Sequence, residues 1–376
     1  MISEQDRSFM EYAITVGQCA RYWSAPNPPV GCVLVKDGLV IGEGFTQPAG
    51  DVHAEVMAIE AACNVRGSDA AQGATAYVTL EPCSHQGRTG PCVAALIEAG
   101  LERVVVAVTD PNPQVSGQGL SRLREAGIAV EVGVGAEAVE QDLAGFLLRM
   151  RRGYGRITLK TAASLDGCTS MASGESQWVT SEHARQDVQR LRAESDLIVT
   201  GTGTVLADDC RLTLRSDALP LSDDDKTRAL SYPPTRMVMD SHGRTPRDAK
   251  VLQGEPTVLI TTQACEHPAP TIVHRVRANA EDRIDLADWI AFLRTQTYNE
   301  ILVEAGPTLS GALLQEGWVD RLVVYQAPKL FGNTARPLAT MALDTLSDAV
   351  ELTFTEVTRI GSDLRIIATP LRRGQE

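Results

Sequence analysis

Asp51-Val-His53-Ala-Glu55 and Glu81-Pro-Cys83-Ser-His-Gln-Gly-Arg-Thr-Gly-Pro-Cys92 are the stretches on which the reading of this chain turns. They set an imidazole, two thiols and a carboxylate at the ends of elements that the surrounding residues predict. The apolar spacing of Phe9, Ala13, Val16 and Ala20 predicts a helix over 4–21. Val30 to Lys36 and Leu39 to Glu43 flank Asp37-Gly38, a strong hairpin signal, and read as two antiparallel strands. Beyond them the pattern gives a helix at 53–64, a strand at 74–80, a helix at 92–99, a strand at 104–108, a helix at 120–126 and a strand at 128–134. The first half is therefore expected to be a sheet flanked by helices. In that frame His53 begins a helix, Cys83 follows a strand and Cys92 begins the next helix.

Imidazole nitrogen and thiolate sulfur are donors that zinc favours, and three protein ligands leave one tetrahedral position open for water. His53, Cys83 and Cys92 are the expected ligands of a Zn2+ ion, in an order similar to the His-x-Glu, Pro-Cys and Cys pattern of zinc deaminases. One imidazole and two thiolates temper the metal's Lewis acidity, so a base beside it becomes useful. Glu55, two positions after His53, is that base, and it can carry protons to a ring nitrogen and a departing amine. A closed structural zinc site is the rival, with His85 or one of the other six cysteines as a fourth ligand. Eight scattered cysteines do not read as a disulfide framework.

At 376 residues the chain has room for two domains, and the basic, glycine-bearing run from Arg149 to Arg156 is the expected boundary, giving domains 1–150 and 151–376. The second half alternates again. Strands are expected at 157–161, 197–200, 235–240, 257–261, 300–304 and 322–326, with helices at 181–193, 286–296 and 308–316. The polar stretch Ser216 to Pro234 reads as a long surface loop. The fold class is α/β in both halves. A formal charge of −13 with only 5% aromatic residues disfavours a nucleic-acid partner. With no long apolar run and a polar start, the chain is expected to have no membrane span and to be cytoplasmic. Oligomeric state is left open, a homo-oligomer included.

The longer separation of Cys83 from Cys92 resembles the signature of the bifunctional deaminase-reductases of bacterial riboflavin biosynthesis. So do Pro26-Asn-Pro-Pro-Val-Gly31 and Asp110-Pro-Asn-Pro113 and, in the second half, Ser164-Leu-Asp-Gly167, Ser173-Gly-Glu-Ser-Gln-Trp178, Thr204-Val-Leu-Ala-Asp-Asp209 and Val303-Glu-Ala-Gly-Pro-Thr-Leu309. The resemblance implies a cytidine-deaminase-like domain followed by a dihydrofolate-reductase-like domain. It implies zinc and NADPH as cofactors and a small phosphorylated pyrimidine as substrate, deaminated at its 2-amino group and then reduced from ribosyl to ribityl. It places Asn27, His85 and Arg88 around the pyrimidine and its phosphoribosyl arm. Ala162, Trp178, Thr204, Asp208, Ser241 and the run Gly306, Pro307, Thr308, Leu309, Ser310, Gly311 and Ala312 match positions at the dinucleotide, and Lys160, Ser176, Arg192, Leu212, Arg215 and Glu304 match positions at the reductase substrate. Arg192 and Arg215 are the expected phosphate clamp. Asp208 is nominated as proton donor, with Lys160 and Glu304 as rivals. Pro29, Gly90 and Cys210 depart from the family's common residues. Two rival classes are a nucleic-acid or free-nucleobase deaminase and a zinc-stabilised protein with an inert second domain.

Overall fold

The computed structural model describes residues 3–84, 90–112 and 115–371. It divides the chain into two compact units, Met1–Gly155 and Arg156–Glu376. In the first, α1 (Glu4–Gln18) opens on a capping box: the Asp6 N–H donates to the Ser3 hydroxyl at 3.0 Å and the Ser3 N–H to the Asp6 carboxylate at 2.9 Å. The hairpin β1 (Gly31–Lys36) and β2 (Leu39–Phe45) turns through Asp37 and Gly38 at φ 52 and 74, the left-handed pair that such a turn requires. Then follow α2 (Ala54–Arg66), β3 (Thr75–Leu80), α3 (Cys92–Glu98), β4 (Arg103–Val108), α4 (Gln118–Glu125), β5 (Ala129–Val132), α5 (Ala136–Asp142) and α6 (Ala144–Arg152).

The sheet order is β2-β1-β3-β4-β5, with β1 antiparallel to both neighbours and β3, β4 and β5 parallel. Alternation along β1 explains the layering. Cys32 and Leu34 pack with α2, α3 and α4, whereas Val33 and Val35 pack with α1, α5 and α6. Helix α2 lies unusually close to β2, because Gly42 and Gly44 leave room for it. A Cβ on either would stand 2.2 Å from the Ala58 carbonyl oxygen or 2.1 Å from that of Ala54. The first turn of α2 is therefore fixed against the sheet.

Helices α5 and α6 go beyond the sequence reading, and the basic run expected as a boundary starts inside α6. Buried Phe146 and Leu147 carry α6 against the sheet, and the helix ends at Gly153, φ 89, whose N–H donates to the Arg149 carbonyl at 2.9 Å.

The second unit runs β6 (Arg156–Ser164), β7 (Cys168–Ser170), α7 (Glu182–Ala193), β8 (Leu197–Gly201), α8 (Thr202–Asp208), α9 (Asp223–Ser231), β9 (Thr235–Met239), β10 (Thr257–Thr261), β11 (Ile272–Arg275), α10 (Leu286–Leu293), β12 (Glu300–Val303), α11 (Pro307–Gln315), β13 (Arg321–Ala327), β14 (Arg336–Pro337), β15 (Leu352–Ile360) and β16 (Asp363–Pro370). Its nine-stranded sheet has the order β11-β10-β9-β8-β12-β6-β13-β16-β15, parallel from β11 to β13 and antiparallel through β16 and β15. The expected loop over 216–234 contains α9: Ser222 caps it by accepting the Asp225 N–H at 3.2 Å, and three aspartates suit its first turn. Insertion of β12 between β8 and β6 reverses the winding there, and a crevice at such a switch point, outside the carboxyl ends of strands, is where open α/β sheets bind ligands.

Candidate active sites

In the first unit the close approach of α2 to β2 sets His53 at its N-cap and Glu55 in its first turn. The His53 imidazole does not cap the helix. Instead its Nδ1 lies 3.2 Å from Cys92 Sγ and 3.6 Å from Cys83 Sγ, and the three donor atoms all fall within 4.8 Å of one another. Cys92 is the first residue of α3, and its N–H donates to Cys83 Sγ at 3.3 Å. A tetrahedral zinc at ordinary bond lengths holds its nitrogen and sulfur donors about 3.6 Å apart, so the residues fit the ion. Among the described residues this is the one such cluster.

Hydrogen bonding from Cys92, against the opposing push of burial and with help from His53, lowers the Cys83 thiol from its ordinary value, in the direction a metal-binding thiolate needs. Burial, reinforced by the Cys83 charge, raises the Glu55 carboxyl above its ordinary value, as suits a group that must both take and give a proton. A cleft of about 510 Å3 opens over the cluster, lined among others by Asn27, Glu55, Asp110, Asn112 and Arg149. Asn27 is thus brought to the cleft; His85 and Arg88 lie outside the described residues.

Sequence reasoning left Glu81 without a role. Its buried carboxylate accepts the N–H groups of Asp110, Gly117, Gly119 and Leu120 at 3.0–3.4 Å, which pins the start of α4 to the strand end that carries Cys83. The available signal was an acid directly after an apolar strand. In the sequence Arg149 marks only the basic boundary run, because nothing in its spacing points to a cleft.

In the second unit three charged groups meet from separate elements. Lys160 on β6 and Arg192 on α7 converge on Glu304, just past β12: Arg192 Nε and Nη2 reach its two oxygens at 2.5 and 3.1 Å, and Lys160 Nζ lies 3.6 Å away. Against the upward push of burial, Arg192 and Lys160 hold the Glu304 carboxyl at about 2. Burial lowers the Lys160 ammonium despite Glu304. The forked face of Arg192 is filled by Glu304 and its Nη1 donates to the Thr213 carbonyl, so it does not present the open phosphate clamp that the sequence suggests. Arg215 is exposed, and its N–H donates to Gln189.

The dinucleotide candidates gather less tightly. Thr204 stands 3.9 Å from where a Cβ on Gly306 would lie, and Gly306 caps α11 with Pro307 at its first position. Thr308 is exposed, but Ser310 and Gly311 turn inward: Ser310 is fully buried, and a Cβ on Gly311 would meet the Thr340 carbonyl oxygen at 2.0 Å. Ala162 lies on β6 opposite Tyr325, and Ser241 follows β9 and accepts the Ile284 N–H at 3.1 Å. Trp178 is exposed rather than core, with the Arg185 guanidinium 4.4 Å from its ring centre. Asp208 ends α8; burial raises its carboxyl and a bond from Ser176 opposes that. The Leu212 side chain packs in the core with Ile198, Val205 and Val238, and its backbone has a left-handed φ of 55.

Comparison with known proteins bears on both units. Residues 156–366 match the family described as RibD C-terminal domain, and residues 3–108 match the cytidine and deoxycytidylate deaminase zinc-binding region. The riboflavin biosynthesis protein RibD of Escherichia coli K12 is 50% identical over 369 residues, covering 96% of this chain and 98% of that protein.

The chain belongs to the RibD family.

RibD of Haemophilus influenzae is 42% identical, with 98% of each chain covered. The solved structure of Acinetobacter baumannii RibD superposes with a TM-score of 0.86 at 39% identity, covering 98% of this chain and 99% of that one. A Thermotoga maritima structure, titled a diaminohydroxyphosphoribosylaminopyrimidine deaminase/5-amino-6-(5-phosphoribosylamino)uracil reductase, superposes at 0.85 with 30% identity, covering 98% and 99%. As in the RibD family, the first unit is a zinc-binding deaminase domain and the second an NADPH-dependent reductase domain of riboflavin biosynthesis. The cytidine-deaminase-like and dihydrofolate-reductase-like expectations hold.

Proposed function

We propose that the first unit hydrolyses the 2-amino group of 2,5-diamino-6-(5-phosphoribosylamino)pyrimidin-4-one, releasing ammonia, and that the second reduces the product's ribosyl chain with NADPH to give 5-amino-6-(5-phosphoribitylamino)uracil. The observation that carries the first step is the convergence of His53, Cys83 and Cys92 beside the buried Glu55 at the floor of the cleft. His53, Cys83 and Cys92 would hold a zinc ion, whose Lewis acidity would make water a nucleophile near neutral pH. Glu55 would take one proton from the attacking water and give it to the ring nitrogen, then take the second from the newly added hydroxyl and give it to the amine, so that ammonia leaves as the ring carbonyl forms. Asn27, from the cleft wall, orients the ring through its amide.

In the second unit Thr204, Trp178, Ser241 and the exposed start of α11 would hold the dinucleotide, where backbone N–H groups and the positive helix end suit phosphate. Hydride transfer also needs a proton. Glu304, kept ionised by Arg192 and Lys160, is an acceptor that fixes the polar end of the sugar chain rather than the acid. Lys160, whose ammonium gives up its proton more readily than an ordinary lysine, and Asp208, whose carboxyl is raised, are the donors the site offers. A kcat–pH profile of K160Q against D208N separates them. The fully buried side of α11 at Ser310 and Gly311 supports the helix rather than the cofactor.

No helix among the described residues is long and apolar enough to cross a membrane. Incubation of the whole protein with the diaminopyrimidine, with NADPH added only after ammonia release has been recorded, tests both steps. Two successive signals are expected; NADPH oxidation without prior ammonia release would refute the order.

A further inference from the structure

Trp178 is a large aromatic residue that the fold holds in the open. It is 57% exposed, yet groups from two other elements fasten it. The guanidinium of Arg185, on α7, lies over the indole with its carbon 4.4 Å from the ring centre. Lys329 Nζ, from the loop after β13, donates to the Trp178 carbonyl at 2.8 Å. Ordering two long cations costs conformational freedom, and a tryptophan left mostly in water returns little apolar burial to offset it. Resting on the reading that Trp178 lies at the dinucleotide, we infer that Arg185 is a positioning residue of the reductase: with Lys329 pinning the backbone beneath, it holds the indole in one orientation so that the uncovered face stacks on a planar ring of NADPH.

The mounting is itself fixed from both sides. Arg185 is half-buried, and its Nη1 donates to the carbonyl of Thr180, two residues after Trp178, at 2.8 Å. Ser181, the N-cap of α7, gives its N–H to the buried Asp363 at 2.7 Å, so the helix that carries Arg185 is tied to the start of β16. On the other side the Lys329 carbonyl accepts the Leu165 N–H at 2.8 Å, and Asp166 accepts the N–H groups of Phe331 and Gly332 at 2.8–3.1 Å. The loop bearing Lys329 is thereby joined to the turn after β6. Ser176, two residues before Trp178, bonds to Asp208, so the same short segment reaches a second group nominated for the dinucleotide. A flat cation on one face of the indole leaves the opposite face for another ring, in the offset stack that aromatic pairs favour. A surface fixed before its ligand arrives loses less freedom on binding.

The rival role for Arg185 is a direct contact with the cofactor's phosphates, and a double-mutant cycle separates the two. The full chain, R185Q, R185K, W178L and the R185Q/W178L pair are titrated with NADPH, followed by the emission of its reduced nicotinamide. Reductase KM and kcat are measured on the pre-deaminated product, and ammonia release and thermal unfolding of the same samples report folding of both units. W178L is expected to weaken NADPH binding about 3- to 10-fold, the size of one aromatic stack. R185Q is expected to weaken it about 2- to 5-fold, the size of an exposed cation–π contact, with the loss in KM for NADPH rather than in kcat. R185K, which keeps a cation beside the ring, should fall between the parent and R185Q. In the W178L background R185Q should add nothing, since its effect runs through the indole. In the free protein the emission anisotropy of Trp178, obtained by subtracting the matching W178L chain, should be lower with R185Q than with Arg185 in place. Losses that multiply in the paired variant, R185K binding more weakly than R185Q, or an unaltered anisotropy would overturn the inference. NADPH binding as tight in W178L as in the parent would instead refute the placing of Trp178 at the dinucleotide on which it rests.

Discussion

The two sites handle buried charge in opposite ways. In the deaminase, charge is gathered around a place for an ion: His53 and Cys92 sit at two helix starts and Cys83 follows a strand, with their donor atoms close enough to share one metal. In the reductase, charge is closed upon itself, with Glu304 gripped by Arg192 and Lys160 from elements far apart in sequence. The first arrangement requires residues of rare types at short range. The second is assembled by topology from residue types found on any surface.

The largest effect expected is on chemistry. Glu55→Gln keeps the shape of the deaminase floor but cannot move protons, so ammonia release should fall about 10²- to 10⁴-fold while bound zinc and reductase turnover persist. Metal analysis and both assays on one sample check this, and unaltered ammonia release would end the case for Glu55.

The next test breaks the closed cluster. Glu304→Gln leaves Arg192 and Lys160 without their anion in a buried setting, which costs about 3–5 kcal/mol when one member of such a cluster is removed. Denaturant unfolding should show the loss confined to the reductase transition, with zinc-dependent ammonia release intact below it. A shift shared by both transitions would contradict it.

Acid sharpens the same contrast. Glu304 is held at about 2 against an ordinary 4.5, so the unfolded chain takes up this proton before the native one does. Its contribution to stability is complete above about pH 5 and is lost as pH falls from there toward 2. Thermal unfolding of the parent between pH 6 and pH 3 should therefore show a steeper fall of the reductase transition than Glu304→Gln shows. Parallel curves would refute the assignment.

The smallest effect sets the floor. Arg151 and Glu140 pair at 2.7 Å with both side chains over 40% exposed, and Arg151→Ala should change stability by less than about 1 kcal/mol. A larger loss would mean that exposure is a poor guide to ion-pair strength in this fold.

Legibility in the sequence follows the same division. The hairpin, the helix starts at His53 and Cys92 and the buried strands were readable because each signal is local: a turn dipeptide, a short apolar run, a ligand at a junction. Helices α5 and α6 escaped because the three arginines of α6 masked the apolar Phe146 and Leu147 beneath them. Helix α9 escaped because a run of aspartates reads as a loop unless Ser222 is seen as its cap. Arg192 and Leu212 show the wider limit. Family likeness placed both near a substrate, but whether a guanidinium is open or already paired, and whether a leucine faces a crevice or the core, is settled by partners on other elements.

Glu81 has a wider consequence for how such a cleft can change. By collecting the N–H groups of Asp110 on one side and of Gly117, Gly119 and Leu120 on the other, it fastens both ends of the intervening segment to the strand that ends beside Cys83. Replacements between those anchored ends can reshape the mouth of the cleft without shifting the hydrolytic floor. Divergence toward a new amine-bearing ring is cheapest there, since selectivity and turnover can be altered separately.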